Sequence, residues 1–181
     1  MWEPGGPWSD LRQGDLVADV RVPVIELPPT VVGTEGAESA ADAVLQVRSR
    51  VTSCLVVTQC CSVERALSEK GSSISLAPIR LHKPHGLGVD DYFRSVEDGG
   101  DLGGYPTEMH GVRPLDGVID DRDGYVNGAD LTRTFSVKGD IASELIHRIR
   151  GRMTVLERQR LRDRLMLFWG RTPEEDRSAD D

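Results

Sequence analysis

The sequence predicts a mainly β domain, a small barrel-like sheet closed by a C-terminal helix. Short apolar runs rich in β-branched residues fill most of the chain from Gln13 onward. Gly, Pro, Asn and Asp bound those runs. A helical apolar period with a Gly stop stands near the end, between Val155 and Gly170. A chain of 181 residues holds one hydrophobic core comfortably and would crowd a second. We therefore expect an irregular lead-in over 1–12, a single domain over 13–171 and an acidic, disordered tail over 172–181.

In the lead-in, Pro4, Gly5, Gly6 and Pro7 exclude regular structure, and Trp2 and Trp8 are expected to pack back onto the body. The alternation of Val20, Val22 and Val24 marks a first strand, with Pro23 forcing an edge position, a bulge or a break there. Residues 28–42 lack an apolar period and read as a loop. Two β-rich runs follow, Val44 to Val47 and Ser53 to Thr58, and the nearly continuous second run predicts a central strand. Ser62 to Lys70 has the composition of one or two helical turns, and Ser73 to Ile79 that of another strand.

From His82 to Asp123 the chain is rich in Gly, Asp and Pro. A long structureless loop is improbable inside a domain, so Tyr92-Phe93 is expected to form a helical turn and Val112 to Ile119 further strands. Leu131 to Val137 also has β character, with Gly124 and Asn127-Gly128 offering turns. Asp140 to Arg150 predicts a short helix through Ile141, Leu145 and Ile149. The last helix is expected over 155–169, with Leu161, Leu165 and Phe168 on its buried side. Thr154-Val155-Leu156-Glu157 fits a capping box at its start.

The start of the chain has neither a basic nor an apolar stretch, and no run of about 18 apolar residues exists, so we expect a cytoplasmic protein without membrane contact. Three cysteines, two of them adjacent, make a poor disulfide framework and fit a reducing compartment. The net charge of −8 is uneven. Residues 1–147 carry 13 Lys and Arg against 23 acids, 148–171 eight Arg against two acids, and 172–181 one Arg against five. The basic segment centres on Arg158, Arg160, Arg162 and Arg164, expected on the outer face of the last helix. That row either docks on the chain's own acidic body or is a solvated face, or else is a candidate binding surface for a polyanion, a partner protein or the acidic body of a second copy.

Cys61 with His82 and His85 is a weak zinc candidate, because thiolate and imidazole suit the metal but no paired-cysteine spacing is present. Asp120, Asp121, Asp123 and Gly124 fit an acidic turn better than a calcium loop, since Ile119 would occupy the first ligand position. Cys60 or Cys61 with His82, His85, His110 or His147 lacks the local signature of a catalytic thiol. No cofactor is expected.

Taken in order, Gly14-Asp15-Leu16-Val17, Leu55-Val56-Val57-Thr58, Leu76-Ala77-Pro78-Ile79 and Ala129-Asp130-Leu131-Thr132-Arg133-Thr134, followed by a capped helix, resemble the succession in MazF/PemK-type toxins. The chain also resembles uncharacterised bacterial and phage-type proteins through Gln59-Cys60-Cys61-Ser62. The toxin resemblance implies an SH3-like barrel, usually dimeric, that cleaves single-stranded RNA without a metal. It also implies an Arg near the second strand and a Thr or Ser after the Ala-Pro-Ile strand. Here Thr52-Ser53 replaces the family's Arg-Pro, leaving Arg50 nearby, and Arg80 stands where the hydroxyl belongs. The expectation is a non-catalytic or degenerate member acting as a protein-interaction module in a bacterial or phage system. The alternative is a metal-independent endoribonuclease of a toxin-antitoxin system that uses Arg50 and Arg80.

Overall fold

A computed structural model describes residues 2–4, 6–26, 46–68, 72–84, 88–97 and 108–169. The loop expected at 28–42, the tail expected at 172–181, and His85 lie outside the described residues. The elements in chain order are β1 (Asp15–Glu26), β2 (Gln46–Val56), α1 (Cys60–Ser68), β3 (Ser73–His82), α2 (Val89–Glu97), β4 (Met109–Val112), β5 (Val126–Asp130), β6 (Phe135–Lys138), α3 (Gly139–Leu145), β7 (Ile149–Arg152) and α4 (Val155–Phe168). Short 3-10 turns occupy Leu131–Arg133 and Ile146–Arg148.

All seven strands belong to one antiparallel sheet of order β4-β5-β3-β2-β1-β7, with β6 added beside β3. The sheet does not close, which departs from the closed barrel expected: among the described residues its path ends at β4 on one side and β7 on the other. The period-two alternation of a strand explains why both faces are apolar at its centre. Cys54 and Val56 point with Val17 and Leu76 toward Val63 and Ala66 of α1 and Ala142 and Leu145 of α3. Leu55 and Val57 point the other way, with Leu16 and Ala77, toward Leu161 and Leu165 of α4. The continuous apolar run of β2 is thus a central strand covered by helices on both faces.

Several expected elements move. The irregularity in β1 falls between Val17 and Val20, where Asp19 takes a positive φ of 55°, and not at Pro23. Pro23 pairs with Ser49 along a stretch of β1 whose other edge β7 does not reach, since β7 pairs only with 15–17. A missing N–H is harmless on that edge. The described part of the first run, 46–47, and 53–56 of the second lie in one strand, β2. Asn127-Gly128 lies inside β5 and not in a turn, and Leu131 opens a 3-10 turn and not a strand. Val118 stands in a turn closed by a Leu115–Ile119 bridge. β7 was not anticipated. The helix at 155–168 forms, but the Thr154 hydroxyl makes no capping bond, and the buried Glu157 pairs with Arg160.

Two glycines fix how the layers approach. Gly14, at φ +84°, donates its N–H to the Val56 carbonyl at 2.9 Å and accepts from the Met153 N–H at 3.1 Å, tying the start of β1 to β2 and β7. A Cβ there would lie 2.8 Å from Arg158 Cγ. Gly139 opens α3 against α1, and a Cβ on it would lie 1.9 Å from the Ala66 carbonyl oxygen. Since backbone cannot yield as a flexible side chain does, Gly139→Ala is expected to cost about 2–3 kcal/mol. Urea unfolding should show a lower midpoint at unchanged slope, and an unshifted midpoint would contradict this packing.

A cleft between splayed strands as the candidate functional site

β2 and β3 pair over only three positions, from Cys54↔Pro78 to Val56↔Leu76. Beyond Pro78, β3 continues paired with β5, while β2 runs the other way along β1. Pro78 has no N–H to extend a ladder, and the strands separate there. The facing edges of Arg50–Ser53 and Ile79–Leu81 line a cleft of about 420 Å³, with Val118, Ile119, Asp120 and Asn127 on its far side. A second hollow of about 460 Å³ shares Arg50, Thr52, Ile79 and Arg80 and is bounded by Val22, Pro23, Pro78, Arg133, Thr134 and Phe135. Two side chains partly bridge the gap. Thr52 Oγ1 donates to the Ile79 carbonyl at 3.4 Å, and Ser53 Oγ to the Val118 carbonyl at 3.3 Å.

Arg50 and Arg80, distant in sequence, therefore border one cleft. Arg50 is exposed and has no ion pair among the described residues. Arg80 is held: its Nη1 donates to Asp130 Oδ2 at 2.7 Å while nearly half of its side chain stays exposed. Asp130 is buried and also accepts from the Thr132 N–H at 3.1 Å and the Thr132 hydroxyl at 2.6 Å. Burial raises this carboxyl, but the bonds from Thr132 and Arg80 outweigh it and hold the pKa below the ordinary carboxylate value. Asp130 is thus an anion that fixes Arg80, and Arg133 Nε approaches the same carboxylate at 3.6 Å.

The turn that follows Asp130 and carries Thr132 and Arg133, the latter on the rim of the second hollow, is an insertion. Leu76 pairs with Phe135 and Ile79 with Ala129, so three steps along β3 face six along its partner, and three residues are extra. They coil into the 3-10 turn capped by Asp130. Sequence reasoning quoted this run as a motif but assigned it no site role. The pairing of a buried Asp with an Arg fifty positions away leaves no local signal. Asp120 was read only as part of an acidic turn, yet it is the carboxylate lining the cleft.

The other candidates separate. Arg158, Arg160, Arg162 and Arg164 do not form one outer row, because steps of about 200° send alternate members to opposite flanks of the Leu161–Leu165 row. Arg158 pairs with Glu3 at 3.4 Å and Arg162 donates to Gln13 Oε1 at 3.1 Å, on one flank. On the other flank Arg160 pairs with Glu157, and burial lowers the pKa of Arg164, against a smaller raising influence from Tyr92. The backbone of Cys61 lies three residues past Thr58, whose hydroxyl accepts the Ser75 N–H. His82 lies seven residues further along β3, roughly 20 Å away at strand rise. The backbones of Cys61 and His82 are thus held apart, and the described residues hold no cluster of three or more potential metal ligands. Cys54 is buried, which pushes its thiol up to about 12. His110 on β4 is fully buried, and among the described residues neither ring nitrogen has a hydrogen-bond partner. Burial, then the charges of Arg164 and Arg160, push its pKa down to about 3.

No family model, curated protein or solved structure matches the chain. No helix among the described residues is long and apolar enough to cross a membrane.

Proposed function

We propose that the chain is a protein-interaction module whose β2/β3 cleft accepts an extended acidic segment of a partner protein. The observation that carries this reading is the pair of open strand edges flanked by Arg50 and Arg80. An extended segment laid between two such edges finds N–H and C=O groups on both sides, which is strand addition. Arg50, Arg80 and Arg133 would meet its carboxylates through charge-assisted bonds, and Asp130 pre-positions Arg80 for that contact. A segment with few carboxylates meets chiefly this local positive charge. A long RNA would also meet the acidic body of a chain whose net charge is −8. The motif order supports the finer reading, a degenerate SH3-like barrel of the MazF/PemK kind in a bacterial or phage system.

A second reading has one specific observation in its favour. Asp120 and the Thr52 and Ser53 hydroxyls line the same cavity as both arginines, so a base and two cations meet there. A metal-independent endoribonuclease would use Asp120 to take the ribose 2′-hydroxyl proton, with Arg50 and Arg80 stabilising the charge that develops on the phosphate.

Fluorescence anisotropy with a labelled peptide alternating Glu and Val tests the first reading, with a Lys-Val peptide as control. The acidic peptide should bind and the basic one should not, and Arg50→Ala should weaken binding about tenfold or more. Equal affinity for the two peptides would sink the reading. Incubation with long mixed-sequence RNA in EDTA tests the second. Discrete cuts lost in Arg50→Ala and Asp120→Asn would establish the enzyme.

A further inference from the structure

The outward side of α4 is not the basic face expected of it. Val155, Leu156, Met166, Leu167 and the capping Trp169 are 72%, 61%, 37%, 55% and 53% exposed. They gather at the two ends of the helix, and between them lie exposed Gln159 and Asp163, where Gln159 Nε2 donates to Asp163 Oδ1 at 2.9 Å. Leu156, Gln159, Asp163 and Met166 follow steps of three, four and three, a seam a second helix can occupy.

This seam reads almost the same from either end. Turned end for end about Leu161, Gln159 falls on Asp163, Leu156 falls within one residue of Leu167, and Val155 within one residue of Met166. We propose that α4 is the contact surface of a homodimer in which two copies of this helix pack antiparallel about a two-fold axis. A two-fold interface must be self-complementary, and this row is: apolar ends meet apolar ends, and the Gln159–Asp163 bond is exchanged between copies at the centre. Asp163 and Arg160 stand on the same flank, so each Asp163 faces Arg160 of the second copy. The polar centre fixes the register as a buried polar seam residue does in a coiled coil. The proposal is independent of the β2/β3 cleft, which lies elsewhere on the sheet.

Sedimentation equilibrium of the full chain tests this, since a dimer with a micromolar dissociation constant is resolved at about 100 µM. The body is strongly acidic and the contact is apolar, so added salt should leave the dimer intact or tighten it. Leu156→Lys and Leu167→Glu, both at exposed positions, should each be monomeric with wild-type circular dichroism. Mixed in equal amounts they should dimerise again, because the antiparallel register sets Lys against Glu at one end and restores Leu against Leu at the other. A parallel arrangement gives no such rescue. A monomeric wild type, single variants that dimerise as well as wild type, or a mixture that stays monomeric would each overturn the proposal.

Discussion

Acidification from neutral pH to pH 4.5 is expected to destabilise the fold by about 2–3 kcal/mol through one side chain, His110. The sign follows from where the proton goes. In the unfolded chain this imidazole titrates near 6.5, whereas in the folded chain burial, then Arg164 and Arg160, hold its pKa at about 3. Between those values the unfolded state binds a proton that the folded state refuses, so stability falls as pH falls. The steepest slope is about 1.4 kcal/mol per pH unit. His110→Leu removes the titration and also removes two buried ring nitrogens that have no partner among the described residues. The variant should be about 1–2 kcal/mol more stable than the wild type at neutral pH, and the gap should widen on acidification. Urea midpoints measured between pH 7 and pH 4.5 decide this: parallel pH profiles for the two proteins would show that His110 carries no such penalty.

Removing Arg152 should be at least as costly, about 3–5 kcal/mol. Its Nε and Nη2 donate to the two oxygens of Asp15 at 2.7 and 2.9 Å, and Nη1 reaches Asp10 Oδ1 at 3.1 Å. Its guanidinium also lies 5.7 Å from the Trp8 ring, clamping the lead-in to the sheet. Asp15 has no exposed surface, and burial pushes its carboxyl up against the opposing pull of Arg152. Arg152→Met strands that carboxylate, leaving it, among the described residues, only the Arg12 N–H at 2.7 Å. Joint replacement, Arg152→Met with Asp15→Leu, removes both charges and should recover most of the loss, whereas independent effects would add. Denaturation of the two single variants and the double variant measures the coupling. A double variant no more stable than Arg152→Met would rule out the stranded charge as the cause.

The elements legible in the sequence are those whose pattern is local. The apolar run ending in Val57 announced a buried central strand, and Leu161, Leu165 and Phe168 announced α4, because each pattern lies within one element and reflects the face it buries. Elements set by distant partners were harder to read. β7 has only four residues, Ile149–Arg152, and exists because β1 offers an edge. Asn127-Gly128 looks like a turn, yet tertiary pairing with β3 and β4 holds it extended. The arginines of α4 were assigned to one face by their density, although their two-residue spacing sends them to both flanks. At the site, Arg50 and Arg80 entered through a family resemblance, and only the register of β2 and β3 places them beside one cleft. The partner that holds Arg80, Asp130, was invisible for the same reason.

The three extra residues opposite β3 also bear on how this molecule could diversify. Leu131, Thr132 and Arg133 lie outside the strand ladder, which resumes intact at Phe135; Leu131 is buried, whereas Thr132 and Arg133 are exposed and Arg133 borders the second hollow. Loop-closure entropy grows slowly with length, so a longer or shorter excursion there would change the folding free energy little. Arg133 is thus a variable position on a constant chassis: its chemistry can drift, or be replaced from a library, while Leu131 stays in the core and Thr132 keeps its two bonds to Asp130.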